Sequence, residues 1–248
     1  MRSVFYFAFL FACISVQAKT IRVAAIDWCP QICVDGQQEG YVMDLVREIY
    51  KDTGYRLDIQ YLPWSRAIKY VLSGKADALL SPAKAEAPDL IYPEYEVGEQ
   101  KMCFYTRKES DWHYTGPDSL ANMQIGIAMD SSIEELNDYV QEHLEQFQFQ
   151  PYHDRYLIQN AHKLDKNRMD AFLFTRNSTK YILSRANEWW KYREAGCVST
   201  ASIYMAFTPA KHLEKEIREM LKVFERRMQE IHETRFTRDL LERYGLSD

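Results

Sequence analysis

Asp27 and Trp28 stand where an apolar run stops. Residues 21–26 (IRVAAI) read as a strand, and Asp27-Trp28-Cys29-Pro30 follows at once. In open α/β sheets ligands gather beyond the carboxyl ends of strands, so a carboxylate and an indole here are candidates for holding a small molecule. The plainer alternative for Trp28 is a ring that closes the edge of the core. A second group is Ser131 with Ser132, which follows the apolar run 124–128 (QIGIA); Ser131 stands three residues before Glu134, the spacing of a capping box. A helix start there would offer unpaired N–H groups and partial positive charge to an anion. Lys84 is the only cation of the segment from Ser81 to Pro93. It would meet an anion as a point charge, or else be a solvated loop lysine. No full catalytic set is present: there is no GxSxG, HExxH or phosphate-loop Gly-Lys-Ser/Thr, and the six histidines lack ligand spacing. The reading is therefore no catalytic residues, no metal and no cofactor.

These groups need elements to position them. Val42, Leu45, Val46 and Ile49 recur at helical spacing, which predicts an amphipathic helix over 42–53 stopped by Gly54. Residues 56–61 alternate as a half-buried strand. Pro63 opens a second helix whose inner face is Trp64, Ala67, Ile68, Val71 and Leu72. After Ser73-Gly74, residues 76–80 are an apolar strand covered on both sides. The order β-α-β-α-β implies a largely parallel sheet.

The chain has 248 residues, enough for one large domain or for two small lobes that each bury a core. Its net charge of −5, without a long Lys/Arg block, argues against nucleic acid as a partner. Residues 1–18 (MRSVFYFAFLFACISVQA) read as a secretory signal removed before Lys19. Their apolar core is shorter than the roughly 20 residues a spanning helix needs. Lipid attachment at Cys13 is a third option that Phe11 fits poorly. Four cysteines remain, in an exported and oxidising setting. A disulfide between Cys29 and Cys33, rigidifying the first loop, is expected over two free thiols. Cys103 and Cys197 are left as another possible pair, which stays open.

The wording GYVMDL (40–45), YLPWSRAI (61–68) and LSGKADALL (72–80) resembles the first lobe of the bacterial extracellular solute-binding proteins of family 3, which deliver polar amino acids and related solutes to ABC importers. The resemblance extends more loosely over nearly all of the mature chain. It implies an α/β, two-lobed periplasmic-binding-protein fold of type II. Residues 19–105 and 203–248 would form a discontinuous first lobe and 106–202 the second, joined by crossover strands at 97–107 and 199–209. It also implies that Trp28 and Trp64 present rings to the solute, and that Ser131 and Ser132 match the family's Gly/Ser/Thr turn.

Two departures bear on the ligand. Family members carry a Thr-rich turn and an Arg that grips the ligand carboxylate in a bidentate fork; here the segment beginning at Ser81 is shorter and offers only Lys84. Where many carry an Asp for the ligand ammonium, this chain has Thr175, followed by Arg176. Both charged contacts for a free α-amino acid are thus absent or altered.

In the second half, Ile133, Leu136, Val140, Leu144 and Phe147 predict one long helix. A strand over 149–152 and a helix over 157–166 follow. Met169 to Phe174 (MDAFLF) then repeats the pattern of Ala76 to Leu80, with Asp170 in the place of Asp77. Leu213 to Ile231 is a long amphipathic helix, with a short one over 237–244. The whole reads as a monomeric periplasmic receptor that closes on a small polar solute and hands it to an ABC permease at the inner membrane. The alternative is a lyase on the same fold, using groups such as Asp27 and Lys84.

Overall fold

The computed structural model describes residues 18–34, 38–129, 133–153 and 155–246. The expected signal segment, except Ala18, and both Ser131 and Ser132 lie outside the described residues.

The first parallel set is β1 (Lys19–Ala25), β2 (Tyr55–Tyr61) and β3 (Ala78–Ala83). Helices α1 (Tyr41–Tyr50) and α2 (Trp64–Leu72) make its crossovers. The second parallel set is β5 (Ile125–Ala128), β6 (Phe147–Gln150) and β7 (Ala171–Thr175). Its helices are α3 (Asn137–Glu142) and α4 (Tyr156–Asp165), and α5 (Arg176–Arg185) leaves the end of β7. Between the sets run β4 (Gly98–Arg107) and β8 (Tyr192–Phe207), antiparallel to one another. The result is one eight-stranded sheet of order β2-β1-β3-β8-β4-β7-β5-β6.

The same device starts both sets. Asp77 N–H donates to Arg22 O and its carboxylate accepts the Arg22 N–H, each within 2.8 Å. Asp170 does the same with Gln124, at 2.8 Å both ways. Each aspartate thus pins its strand against the parallel neighbour at a common register, which is why the Asp-Ala pattern recurs. The Arg22 guanidinium adds a fork onto the Asp77 carboxylate, which is 5% exposed.

The chain end returns to the first set. Helices α6 (Glu214–His232) and α7 (Phe236–Arg243) pack on α1. Arg227 donates to the carbonyls of Glu48 and Ile49, and Tyr50 Oη to Met220 O. Tyr244 Oη bonds both Gly40 N–H and Asp44. Gly40 has φ 103°, and a Cβ there would meet Gln31 O at 2.3 Å, so the glycine opening the GYVMDL run is sterically required.

Three expectations are corrected. The long helix over 133–147 is broken: a 3-10 turn at Glu134–Leu136 precedes the six residues of α3, and another follows at Leu144–Gln146. Phe147 opens β6 instead, because it pairs with Ile125 in the ladder and buries its ring there. The helix α5 was not anticipated, since its buried face is Ser178, Thr179 and Leu183 rather than an apolar stripe. The return crossover β8 begins seven residues earlier than expected, at Tyr192, since residues such as Arg193, Glu194 and Gly196 disguise its pairing with β4.

Both cysteine pairs are disulfides. Cys29–Cys33 closes the loop after β1, and Cys103–Cys197 ties β4 to β8. No described helix is long and apolar enough to cross a membrane.

Candidate functional site

A cavity of about 330 Å³ lies where the carboxyl ends of both parallel sets converge. From the first set come Ile26, Asp27 and Trp28 after β1, Leu62 to Trp64 after β2, and Ser81 in β3. From the second come Ala128 and Met129 at the end of β5, Pro151 to His153 after β6, and Phe174 and Thr175 closing β7. Gln100 and Met102 contribute from β4 between them, and Glu86 from the turn after β3. Each parallel strand delivers its last residues to one place because parallel strands all end on the same edge.

The geometry is specific at several points. Trp28 is 6% exposed, and its Nε1–H donates to Thr175 Oγ1 at 3.2 Å, across the two sets. Asp27 Oδ1 accepts the Val34 N–H at 3.2 Å, holding its carboxylate against the disulfide-closed loop. Trp64, half-buried, lines the cavity and also packs on the cluster of Ala67, Val71 and Leu79. Tyr152 and Phe174 stack at 5.2 Å with planes 15° apart.

Ser81 stands apart from the rest. It sits at φ 68°, in the left-handed region that disfavours a side chain, where the β3–β8 register shifts. The residue is 2% exposed and its Oγ has no hydrogen-bond partner among the described residues. A strained backbone and an orphaned buried hydroxyl on a cavity wall are the kind of cost that structures retain at binding sites.

The turn after β3 is braced separately. Glu86 accepts the Ala83 N–H at 2.9 Å, and Tyr92 Oη donates toward the Ala83 and Ala87 carbonyls. Desolvation, reinforced by the charge of Glu86, pushes the Tyr92 hydroxyl up to about 12, so it remains a donor at neutral pH.

Of the sequence candidates, Asp27, Trp28, Trp64, Ser81 and Thr175 come together around the cavity. Lys84 does not join them. Its ammonium lies 4.9 Å from the Tyr204 ring centroid and 5.9 Å from that of Tyr92, and these ring faces hold it away from the cleft. Arg176 forks onto Glu194 with bonds of 2.7 and 2.8 Å. Sequence reasoning missed Glu86, Gln100, Met102, Tyr152, His153 and Phe174. The last three are at or just past strand ends, where the rule that found Asp27 applies once those strand ends are placed correctly.

Among solved structures, a histidine kinase sensor domain with similarity to periplasmic binding proteins is 17% identical with TM-score 0.72, covering 92% of this chain and 96% of its own. The probable amino-acid ABC transporter extracellular-binding protein ytmK from Bacillus subtilis is 16% identical with TM-score 0.71, over 93% and 99%. The ancestral amino acid-binding protein AncCDT-1, a precursor of cyclohexadienyl dehydratase, is 14% identical with TM-score 0.67, over 91% and 94%. At these identities the likeness concerns the fold. No curated protein sequence matches the chain significantly. The family model is decisive: it matches residues 21–247, and the chain belongs to the bacterial extracellular solute-binding proteins, family 3.

Proposed function

We propose that the protein is a periplasmic receptor that captures a small polar solute between two lobes by hinge closure and presents it to an ABC permease. Residues 19–105 and 203–248 would form one lobe, 106–202 the other, with residues 1–18 removed on export. The observation that carries this reading is a cavity lined by the strand ends of both parallel sets, which β4 and β8 connect within the sheet. Two crossover strands allow hinge motion, and a solute touching both sides stabilises the closed form over the open one. A micromolar receptor needs about −8 kcal/mol, within reach of an aromatic contact and several hydrogen bonds in a cleft of this size.

Binding is favoured over catalysis at this site. Among the described residues the Ser81 hydroxyl has no hydrogen-bonded base to activate it as a nucleophile. Indole and phenyl surfaces supply much of the remaining wall.

A panel of small polar solutes tests the reading by thermal shift and small-angle scattering. At least one compound should raise the melting temperature and reduce the radius of gyration. A saturating ligand that leaves the protein's dimensions unchanged would overturn the hinge.

A further inference from the structure

The cavity's charge and surface narrow the class of solute, an inference that rests on the receptor reading above. Among the described residues lining the cavity there is no lysine or arginine, whereas Asp27 and Glu86 bring two carboxylates. The other titratable groups are Tyr152 and His153, of which His153 is exposed. Cations adjacent in sequence are engaged elsewhere. Lys84 lies over the Tyr204 and Tyr92 rings and Arg176 is forked onto Glu194. Lys101 sits between Gln100 and Met102 on β4, and strand alternation turns it to a different cavity, lined also by Glu99 and Asn177.

The rest of the wall suits a positive charge. Trp28, Trp64, Tyr152 and Phe174 surround the space, and aromatic faces attract ammonium groups within about 6 Å of the ring centroid. The buried Ser81 Oγ, with no partner among the described residues, is available to a ligand N–H or O–H. By contrast, an α-carboxylate enclosed beside Asp27 and Glu86 would lose its water without meeting a cationic side chain among the described lining residues. Two helix starts at this wall favour an anion, the first turn of α2 at Pro63 and Trp64 and that of α5, whose N-cap residue is Thr175. Each helix start carries only about +0.5 charge and brings no cationic side chain to pair with a carboxylate.

We propose that the cleft takes an organic cation, an amine or quaternary ammonium on an apolar or aromatic body, and discriminates against the counterpart that carries a carboxylate. Asp27 and Glu86 supply the counter-charge, the rings enclose the body, and Ser81 fixes orientation.

Matched pairs test this directly: tyramine and tyrosine, tryptamine and tryptophan, agmatine and arginine, choline and glycine betaine. Each is titrated calorimetrically into the mature protein, with scattering at saturation. In at least one pair the cation should bind tenfold or more tightly than its carboxylated partner and compact the protein. The variant Asp27→Asn/Glu86→Gln, which retains the acceptors for Val34 and Ala83 N–H, should lose that preference with an unchanged circular dichroism spectrum. Should the double variant misfold, Asp27→Asn alone should lower the preference at least threefold. Equal or tighter binding of the carboxylated partner in every pair that binds would overturn the cation class while leaving the receptor standing. So would compaction by only neutral or anionic solutes of the wider panel, or a preference that survives the variants. If no solute binds or compacts the protein, the receptor reading fails and this inference with it.

Discussion

The indole N–H of Trp28 donates to Thr175 Oγ1 at 3.2 Å, joining residues 147 positions apart, one just past β1 and the other closing β7. Both are nearly inaccessible, so neither group has water as an alternative partner. Replacing Thr175 by Val conserves shape and removes the acceptor. An unpaired buried N–H costs about 1–3 kcal/mol, which for a protein of this size is a fall in melting temperature of roughly 5 °C. Thr175→Ser keeps the oxygen and should lose distinctly less. Calorimetry of the two variants decides it: equal melting temperatures would mean that the bond contributes nothing.

Ser81 yields a prediction in which stability and binding separate. Its left-handed backbone costs a non-glycine residue about 1–2 kcal/mol. Ser81→Gly removes that strain but gives the unfolded chain more freedom, for a net stabilisation of up to about 1 kcal/mol. Ser81→Ala keeps the strain and should not stabilise. Both lose the hydroxyl, and a single hydrogen bond of about 0.5–1.5 kcal/mol corresponds to roughly two- to thirteenfold weaker solute binding. Unchanged affinity in both variants would remove Ser81 from the site.

How much of this was legible in the sequence depends on where side-chain periodicity survives. Val42, Leu45, Val46 and Ile49 mark α1 because one face of that helix meets the core and the other meets water. Helix α5 gives no such signal: Ser178 and Thr179 are buried through small size and local bonds, with Thr179 Oγ1 donating to Thr175 O at 2.9 Å. Asp27 and Trp28 could be found because they follow a clear strand. Gln100 and Met102 could not, because which face of β4 looks into the cleft is set by its pairing with β7 and β8, contacts far apart in sequence. Tyr152 was hidden by a shifted strand, since pairing with Ile125 draws Phe147 into β6 and moves that strand's end two residues earlier. Lys84 misled because a cation in a polar loop gives no hint of the tyrosine faces that hold it.

The matched aspartates should not be matched in energy. Asp77 is buried and carries the Arg22 fork as well as the backbone bond, whereas Asp170 is exposed and accepts only from Gln124 N–H among the described contacts. Removing one partner of a buried ion pair costs about 3–5 kcal/mol, and the partial exposure of Arg22 places Asp77→Ala near the lower figure. Asp170→Ala forfeits a charge-assisted bond that water can partly replace, about 1 kcal/mol. Urea unfolding of both variants measures the difference. Equal costs would show that the Arg22 fork adds nothing to the shared backbone device.

The two disulfides close loops of very different length, and their contributions should follow. Cys29 and Cys33 are separated by 4 positions, Cys103 and Cys197 by 94. In the chain-entropy view a cross-link stabilises by restricting the unfolded chain, by about 5 kcal/mol for a loop near one hundred residues and about 2 kcal/mol for one of five. Cys103→Ala/Cys197→Ala should therefore lower unfolding free energy by clearly more than Cys29→Ala/Cys33→Ala. Neither Cys103 nor Cys197 lines the cavity, so solute affinity in that variant should change less than threefold even as the melting temperature falls. A large affinity loss there, with little loss of stability, would instead make the bond between β4 and β8 a determinant of the angle at which the two strand sets meet the solute.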